Sequence, residues 1–208
     1  MAAAVIAGRQ ISPAEAVKLI NTPDQEVFEL LAAANGIRAA FKGNKVRLCA
    51  IVNAKSGRCS ENCSFCAQSA HFKTEAQTYP LLSTSDIVGA AKTAAKFAQA
   101  TCFSIVTSGK GVAQERELAT IGAAVATIHH DTDLNRCVSL GILTLEQIKQ
   151  LKGQGLNRLH HNLETAASFF ANICTTHSYQ ERLQTIRYSK EAGLQVCSGG
   201  IFGLGETP

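Results

Sequence analysis

The chain has 208 residues, 46% of them hydrophobic and 17% charged, with a formal net charge of +4. That is enough apolar material for one buried core, and so small a charge, scattered among acids, gives no basic stripe for nucleic acid. No run of about 18 apolar residues exists to span a bilayer, and the opening MAAAVIAGRQ lacks the basic start and apolar core of a signal peptide. The expectation is a cytoplasmic protein with no membrane and no nucleic-acid partner.

Residues 1–43 read as a helical lead-in of two helices. In ISPAEAVKLI, Ser12 can cap, Pro13 suits a first helical position that needs no N–H, and Glu15 completes a capping box. NTPDQEVFELLAAANG repeats the device, with Thr22 as cap, Pro23 behind it and Gly36 as the helix end.

Residues 44–208 alternate short apolar runs with amphipathic segments, the pattern of a parallel α/β fold. Strands are expected at 46–53, 101–107, 136–140, 158–162 and 195–200, with helices at Thr84–Ala100, Ala113–His129, Leu145–Lys152 and Tyr179–Ala192. Thr144 with Gln147 forms a second capping box, and Gly155 and Gly193 sit where helices should stop. Five strands with crossover helices fit either a doubly wound sheet or a (β/α)8 barrel. A complete barrel takes about 250 residues, so the expectation is an N-terminal piece carrying about the first five strands, with roughly three C-terminal βα units beyond Pro208.

Eight cysteines without a secretory leader point to metal ligands or free thiols in preference to disulfides. Three of them, Cys59, Cys63 and Cys66, crowd into CSENCSFC directly after the first strand. Spacings of three and two residues let one loop wrap three corners of an iron–sulfur cubane, leaving the fourth iron open, and an open position separates a catalytic metal site from a structural one. The competing structural reading is a zinc site with His71 as fourth ligand, a spacing that matches no common finger. Cys49, inside the first strand, and Cys174, after SFFANI, default to buried thiols, and Phe97, Phe169 and Phe170 to core aromatics.

C-x3-C-x2-C with Phe65 before the last cysteine resembles the signature loop of radical S-adenosylmethionine enzymes. The resemblance implies a TIM-type barrel of the radical SAM kind and a 4Fe–4S cluster on Cys59, Cys63 and Cys66. Its open iron would chelate S-adenosylmethionine, which one electron splits into methionine and a 5′-deoxyadenosyl radical.

Three further cysteines, Cys102, Cys137 and Cys197, fall on three different expected strands, and parallel barrel strands bring such positions together. Each alone would be an ordinary small buried hydrophobe. Taken with NLETAASFFANICTTHSYQERL and GLQVCSGGIFGLGET, they make the chain from about Asn53 onward similar to the biotin synthase family.

That similarity implies a sulfurtransferase inserting sulfur into dethiobiotin at C9 and C6. The sulfur would come from an auxiliary cluster, 2Fe–2S or another type, on Cys102, Cys137 and Cys197. It also implies cofactor contacts from Phe65, from Asn162 and Glu164 (S-adenosylmethionine ribose, and dethiobiotin through Asn162), and from Gly199, Ile201, Gly203 and Glu206 of GGIFGLGE. TSGKG, residues 107–111, would face the methionine amino end. Partners implied are a reductant such as flavodoxin or ferredoxin and a second copy of the chain as homodimer. Two residues depart from the usual pattern: His160 replaces an Asn, which alters one substrate-side hydrogen bond, and Glu164 is one methylene longer than the frequent Asp. Two other readings stay open: a different radical SAM enzyme, such as a protein similar to hydrogenase-cofactor maturases, and a non-catalytic metal-binding module.

Overall fold

Five parallel strands form one sheet in the order β1-β2-β3-β4-β5, where β1 is Cys49–Lys55, β2 Cys102–Thr107, β3 Asn135–Ser139, β4 Arg158–His160 and β5 Gln195–Cys197. The computed structural model describes residues 1–207. Strand order follows chain order without reversal, so the sheet has no switch point of the doubly wound kind, and each crossover advances one strand in the manner of a (β/α) barrel. The crossovers are α4 (Thr84–Phe97), α5 (Glu115–Asp131), α6 (Leu145–Gly153), and α7 with α8 (Phe170–Ile173, Tyr179–Glu191).

Capping chemistry sets several of these boundaries. Thr144 and Gln147 satisfy each other's backbone N–H groups at the start of α6, and Ser178 with Glu181 does the same for α8. Gly155 and Gly193 follow α6 and α8 at φ 98° and 73°, a left-handed conformation that a side chain would resist. β1 begins at Cys49 and not at Val46, which is solvent-exposed, and it runs two residues beyond its expected end to Lys55. β4 and β5 stop early, because pairing past His160 gives way to a single bridge between Glu164 and Gly200.

The core lies on the helix side of the sheet. Phe103 and Ile105 of β2, Val138 of β3 and Leu159 of β4 pack with Ile87 and Ala91 of α4, Ile121, Val125 and Ile128 of α5, and Ile148 and Leu151 of α6. Truncating one such side chain, as in Leu159→Ala, costs about 2–5 kcal/mol. Because side chains alternate across a strand, Cys102, Ser104, Cys137, Arg158 and Cys197 project from the opposite face. There Ile51 remains 66% exposed. Cys49 is on that face too and is exposed, so the expectation of a buried thiol fails for it. Phe97 ends α4 at 73% exposure under the Lys96 ammonium and is not a core aromatic.

Arg47–Glu206 form one compact unit and Met1–Val46 another. The second contains α1 (Ala2–Ile6), α2 (Pro13–Ile20), a 3-10 turn at Asp24–Glu26 and α3 (Val27–Lys42), with no buried residue in any of its helices. The Ser12–Glu15 capping box is present at α2. The second expected cap is not: the Thr22 hydroxyl donates backward to the Leu19 carbonyl, Pro23 is extended, and the 3-10 turn intervenes before α3. Gly36 sits inside α3, which ends instead at Gly43 with φ 61°. An exposed glycine within a helix costs about 1 kcal/mol against alanine, too little to stop a helix propagated on both sides. Among the described residues no helix is long and apolar enough to cross a membrane.

Candidate metal and S-adenosylmethionine site

The loop carrying Cys59, Cys63 and Cys66 leaves β1 through Gly57 (φ 73°) and Arg58 (φ 48°). It is fastened at several points. The Cys59 amide donates to the Gln68 carbonyl at 3.0 Å and the Ala70 amide returns to the Cys59 carbonyl at 2.8 Å. The Cys66 amide closes a turn on the Cys63 carbonyl at 3.0 Å. The Ser69 hydroxyl donates to the Glu61 carbonyl at 2.6 Å. A second set of bonds ties the loop to the segment after α7. The Ser64 amide reaches the Ile173 carbonyl at 2.9 Å, and the Asn62 side chain accepts from the amides of Thr175 and Thr176 at 2.9 and 3.3 Å.

Cys59, Cys63 and Cys66 line one cavity of about 210 Å³ with Phe65, Asn162 and Glu164, and Ser108, Gly109 and Lys110 of TSGKG form another wall. The site therefore sits at the carboxyl ends of β1 to β4, where barrel folds place their chemistry. Burial, and then the neighbouring Cys174, push the Cys63 thiol up to about 12. A thiol so reluctant to ionise alone is one that a cation would have to deprotonate on binding. His71 turns its Nε2 to the Ser60 carbonyl at 2.9 Å and joins no close group of metal-ligating atoms among the described residues.

Three residues with no expected role, Glu61, His177 and Arg182, bind the site together with Cys174, which is buried as expected. Nδ1–H of His177 donates to the Glu61 carboxylate at 2.5 Å, and Arg182 Nε donates to His177 Nε2 at 3.0 Å. The same guanidinium gives NH1 to the Asn162 carbonyl at 2.8 Å and to Glu164 Oε1 at 3.3 Å. Phe170, expected only as core, packs edge-on to His177 and lies under Arg182, with 5.6 and 5.7 Å separations. Burial opposes ionisation of Glu61, but its bonds from His177 and Ser60 outweigh that and hold the carboxyl below its ordinary value. Burial lowers His177, only partly offset by Glu61, and with Arg182 donating to Nε2 the ring proton lies on Nδ1, toward Glu61. Nothing in the spacing C-x2-H or in QER marked these residues. Their link to the loop crosses more than a hundred positions of chain.

Burial raises the Glu164 carboxyl, with Arg182 pulling against it. Its backbone adopts φ 68°, held by the Ile201 amide donating to the Glu164 carbonyl at 2.7 Å. Gly199, Ile201, Gly203 and Glu206 lie outside the cavity walls. They make the turn beside it, where the Glu206 carboxylate accepts from the Gly203 amide at 2.7 Å and is lowered chiefly by that bond. His160 faces Ser139 across the strands at 3.2 Å and lies level with Cys197.

Cys102, Cys137 and Cys197 also lie outside this cavity, on the sheet face opposite the helices, in a diagonal set by parallel register; Cys102 and Cys137 are buried there and Cys197 is exposed. Cys102 pairs with Cys49, Ser104 with Cys137, Cys137 with Arg158, and His160 with Cys197. Cys137 stands close enough to each of the others for their charges to interact. Burial first, then Cys137 and Cys49, push the Cys102 thiol up to about 11, and burial followed by Cys197 raises Cys137. Arg158 opposes both shifts.

Residues 54–208 match the model of the radical SAM superfamily. A biotin synthase of Citrifermentans bemidjiense is 49% identical over 203 residues, 98% of this chain and 61% of that protein. One of Anaeromyxobacter is 54% identical over 180 residues, 86% and 49% of the two chains. The chain thus spans about three fifths of the length of the first of these relatives. Among solved structures, methylornithine synthase superposes with a TM-score of 0.86 at 21% identity, over 99% of this chain and 60% of that one. An FeFe-hydrogenase maturase from Carboxydothermus hydrogenoformans gives 0.76 at 19%, over 99% and 49%. Both likenesses are of fold alone.

Proposed function

Since this chain belongs to the radical SAM superfamily, we propose that it is the N-terminal part of a biotin synthase. The observation that carries this reading is the pairing of two separate thiol groups in one fold: three cysteines on a loop around a cavity, and three on adjoining strands of the sheet, on its face opposite the helices. Cleavage of S-adenosylmethionine by itself requires only the first group. The names borne by relatives at 49% and 54% identity support the choice.

The loop thiols fit a 4Fe–4S cluster, because their donor set is soft, they share one cavity, and no fourth cysteine belongs to the loop. When bound, such a cluster supplies the electron that cleaves S-adenosylmethionine. The remaining tasks fall to the chain's own groups. The Glu164 carboxylate, oriented by Arg182, accepts from the ribose hydroxyls, and Asn162 next to it reaches ribose and dethiobiotin. Phe65 excludes water beside the last loop cysteine. The turn from Gly199 to Glu206, hydrogen-bonded to the Glu164 backbone, supports the adenine side through Ile201. Cys102, Cys137 and Cys197 would hold the auxiliary cluster that donates sulfur at C9 and C6. His160, level with Cys197, would stand between the two sites. The electron would come from a flavodoxin or ferredoxin, in a homodimer in the cytoplasm.

The test is anaerobic reconstitution of the full-length protein with iron and sulfide, reduction, and S-adenosylmethionine with and without dethiobiotin, followed by mass spectrometry. Dethiobiotin-dependent 5′-deoxyadenosine together with biotin is the expected outcome. Deoxyadenosine without biotin would move the substrate elsewhere in the superfamily, and neither product from a protein with a verified cluster would leave a metal-binding module.

A further inference from the structure

Cys174 and His177 have no task in the chemistry above, yet they complete a buried constellation with Cys63. The Sγ atoms of Cys63 and Cys174 are 3.6 Å apart, and Cys174 Sγ lies 3.3 and 3.8 Å from Nδ1 and Nε2 of His177. Cys63, Cys174 and His177 are 7%, 3% and 8% exposed, and their donor atoms all lie within 4.8 Å of one another. Metal–sulfur bonds of about 2.3 Å and metal–nitrogen bonds of about 2.0 Å, at tetrahedral angles, put two thiolates about 3.8 Å apart and a thiolate and imidazole nitrogen about 3.5 Å apart. The observed spacings are those of ligands on one ion. Thiolates on separate corners of a cubane bind different iron atoms and stand wider apart.

The supporting shell is present as well. A metal-ligating histidine typically donates its other N–H to a carboxylate, which fixes the tautomer and the ring orientation. Here Nδ1–H already donates to Glu61 at 2.5 Å, leaving the Nε2 lone pair to a ligand role. Nε2 now accepts from Arg182 Nε at 3.0 Å, a bond an incoming ion would displace, whereas the bonds of Arg182 to Asn162 and Glu164 are made by a different nitrogen, Nη1.

We propose that the cluster-free chain binds one divalent, borderline-soft transition ion of the zinc and cobalt class through Cys63 Sγ, Cys174 Sγ and His177 Nε2, with water as fourth ligand. Two thiols and one imidazole select such an ion over magnesium or calcium. The two thiol protons pass to solvent as the ion enters. Since Cys63 belongs to both donor sets, the single ion and the three-thiolate cluster exclude each other. That exclusion, though not the ion site, rests on the proposed function.

The protein, freed of iron by chelation under anaerobic reducing conditions, is titrated with Co²⁺ alone. One equivalent is expected to give the visible bands of a tetrahedral ion with thiolate charge-transfer intensity, and Zn²⁺ to bleach them. Cys174→Ala, which removes a direct ligand, should weaken the site by more than the roughly 10- to 100-fold that loss of a mere supporting partner costs, whereas Cys59→Ala and Cys66→Ala keep it. Bands that survive Cys174→Ala but vanish in Cys66→Ala would place the ion in the loop, and absence of tetrahedral bands in the parent protein would overturn the proposal outright. Should Cys174→Ala fail to fold by circular dichroism, His177→Gln, which keeps both thiols, gives the same readout: weaker binding supports the site and unchanged binding refutes it. Cleavage of S-adenosylmethionine by cluster-loaded protein is a separate measurement, so either idea can fail alone.

Discussion

Cys59, Cys63 and Cys66 lie on one loop whose backbone is stitched to itself and to residues 173–176, while Cys102, Cys137 and Cys197 each ride on a different strand. The loop thiols owe their proximity to local spacing, so they converge wherever the loop closes. The strand thiols owe theirs to parallel register, so they converge only when the whole sheet is built. Two cysteine groups of equal size thus depend on structure of very different range.

The largest expected effect separates them by chemistry. Cys63→Ala should abolish cleavage of S-adenosylmethionine, because two thiolates cannot hold a cubane with a defined open corner; iron content and deoxyadenosine are the readouts. Cys137→Ala should retain cleavage and lose biotin. Equal loss of cleavage in both variants, with the loop cluster intact, would erase the distinction between the two groups.

Arg182→Gln tests how far the loop group relies on its charged surroundings. Removing the guanidinium leaves His177 Nε2 without its donor and Glu164 with only the long 3.5 Å bond from the Asn162 amide. Hydrogen bonds to charged groups are worth about 1.5–3 kcal/mol, so KM for S-adenosylmethionine should rise by roughly 10- to 150-fold. An equal rise in a Cys137-dependent step alone would contradict the placement of Arg182 beside the loop.

A smaller effect is one of stability. Burial, then Arg182, pushes His161 down to about 3, and its Nε2 is buried without a partner. A folded pKa below the unfolded value near 6.5 means that the unfolded chain binds the extra proton. Stability is therefore full above about pH 6.5 and is lost as pH falls toward 3. At pH 5 the loss is about 2 kcal/mol from this residue. His160 and His177, also lowered chiefly by burial, act in the same direction. Denaturant midpoints at pH 7 and pH 5 for the parent and His161→Gln should differ less in the variant.

Much of the fold was legible because its signals are local. The Ser12–Glu15 and Thr144–Gln147 boxes, the glycines at 155 and 193 and the alternation of strands and helices are all read within a few residues. The second cap failed because Thr22 can serve either the helix before it or the one after, and the structure uses the former. In the site, the three loop cysteines announce themselves by spacing. Glu61, Cys174, His177 and Arg182 do not, since a hydrogen bond between positions 61 and 177 leaves no periodic trace. Cys49 was misjudged because β1 pairs on one side only among the described strands, which leaves its side of the strand open.

Glu164 carries the smallest of these effects and the widest reach. L-residues resist φ 68°, and Asp tolerates it better than Glu. Glu164→Asp should stabilise the fold by about 0.5–1 kcal/mol, or roughly 1–4 °C in Tm, and lengthen the reach to Arg182. Its carbonyl anchors Ile201 and its carboxylate meets α8. Sequence drift in the GGIFGLGE turn would therefore be transmitted to the carboxylate at the cavity wall, so the two segments should change together or not at all across descendants of this chain.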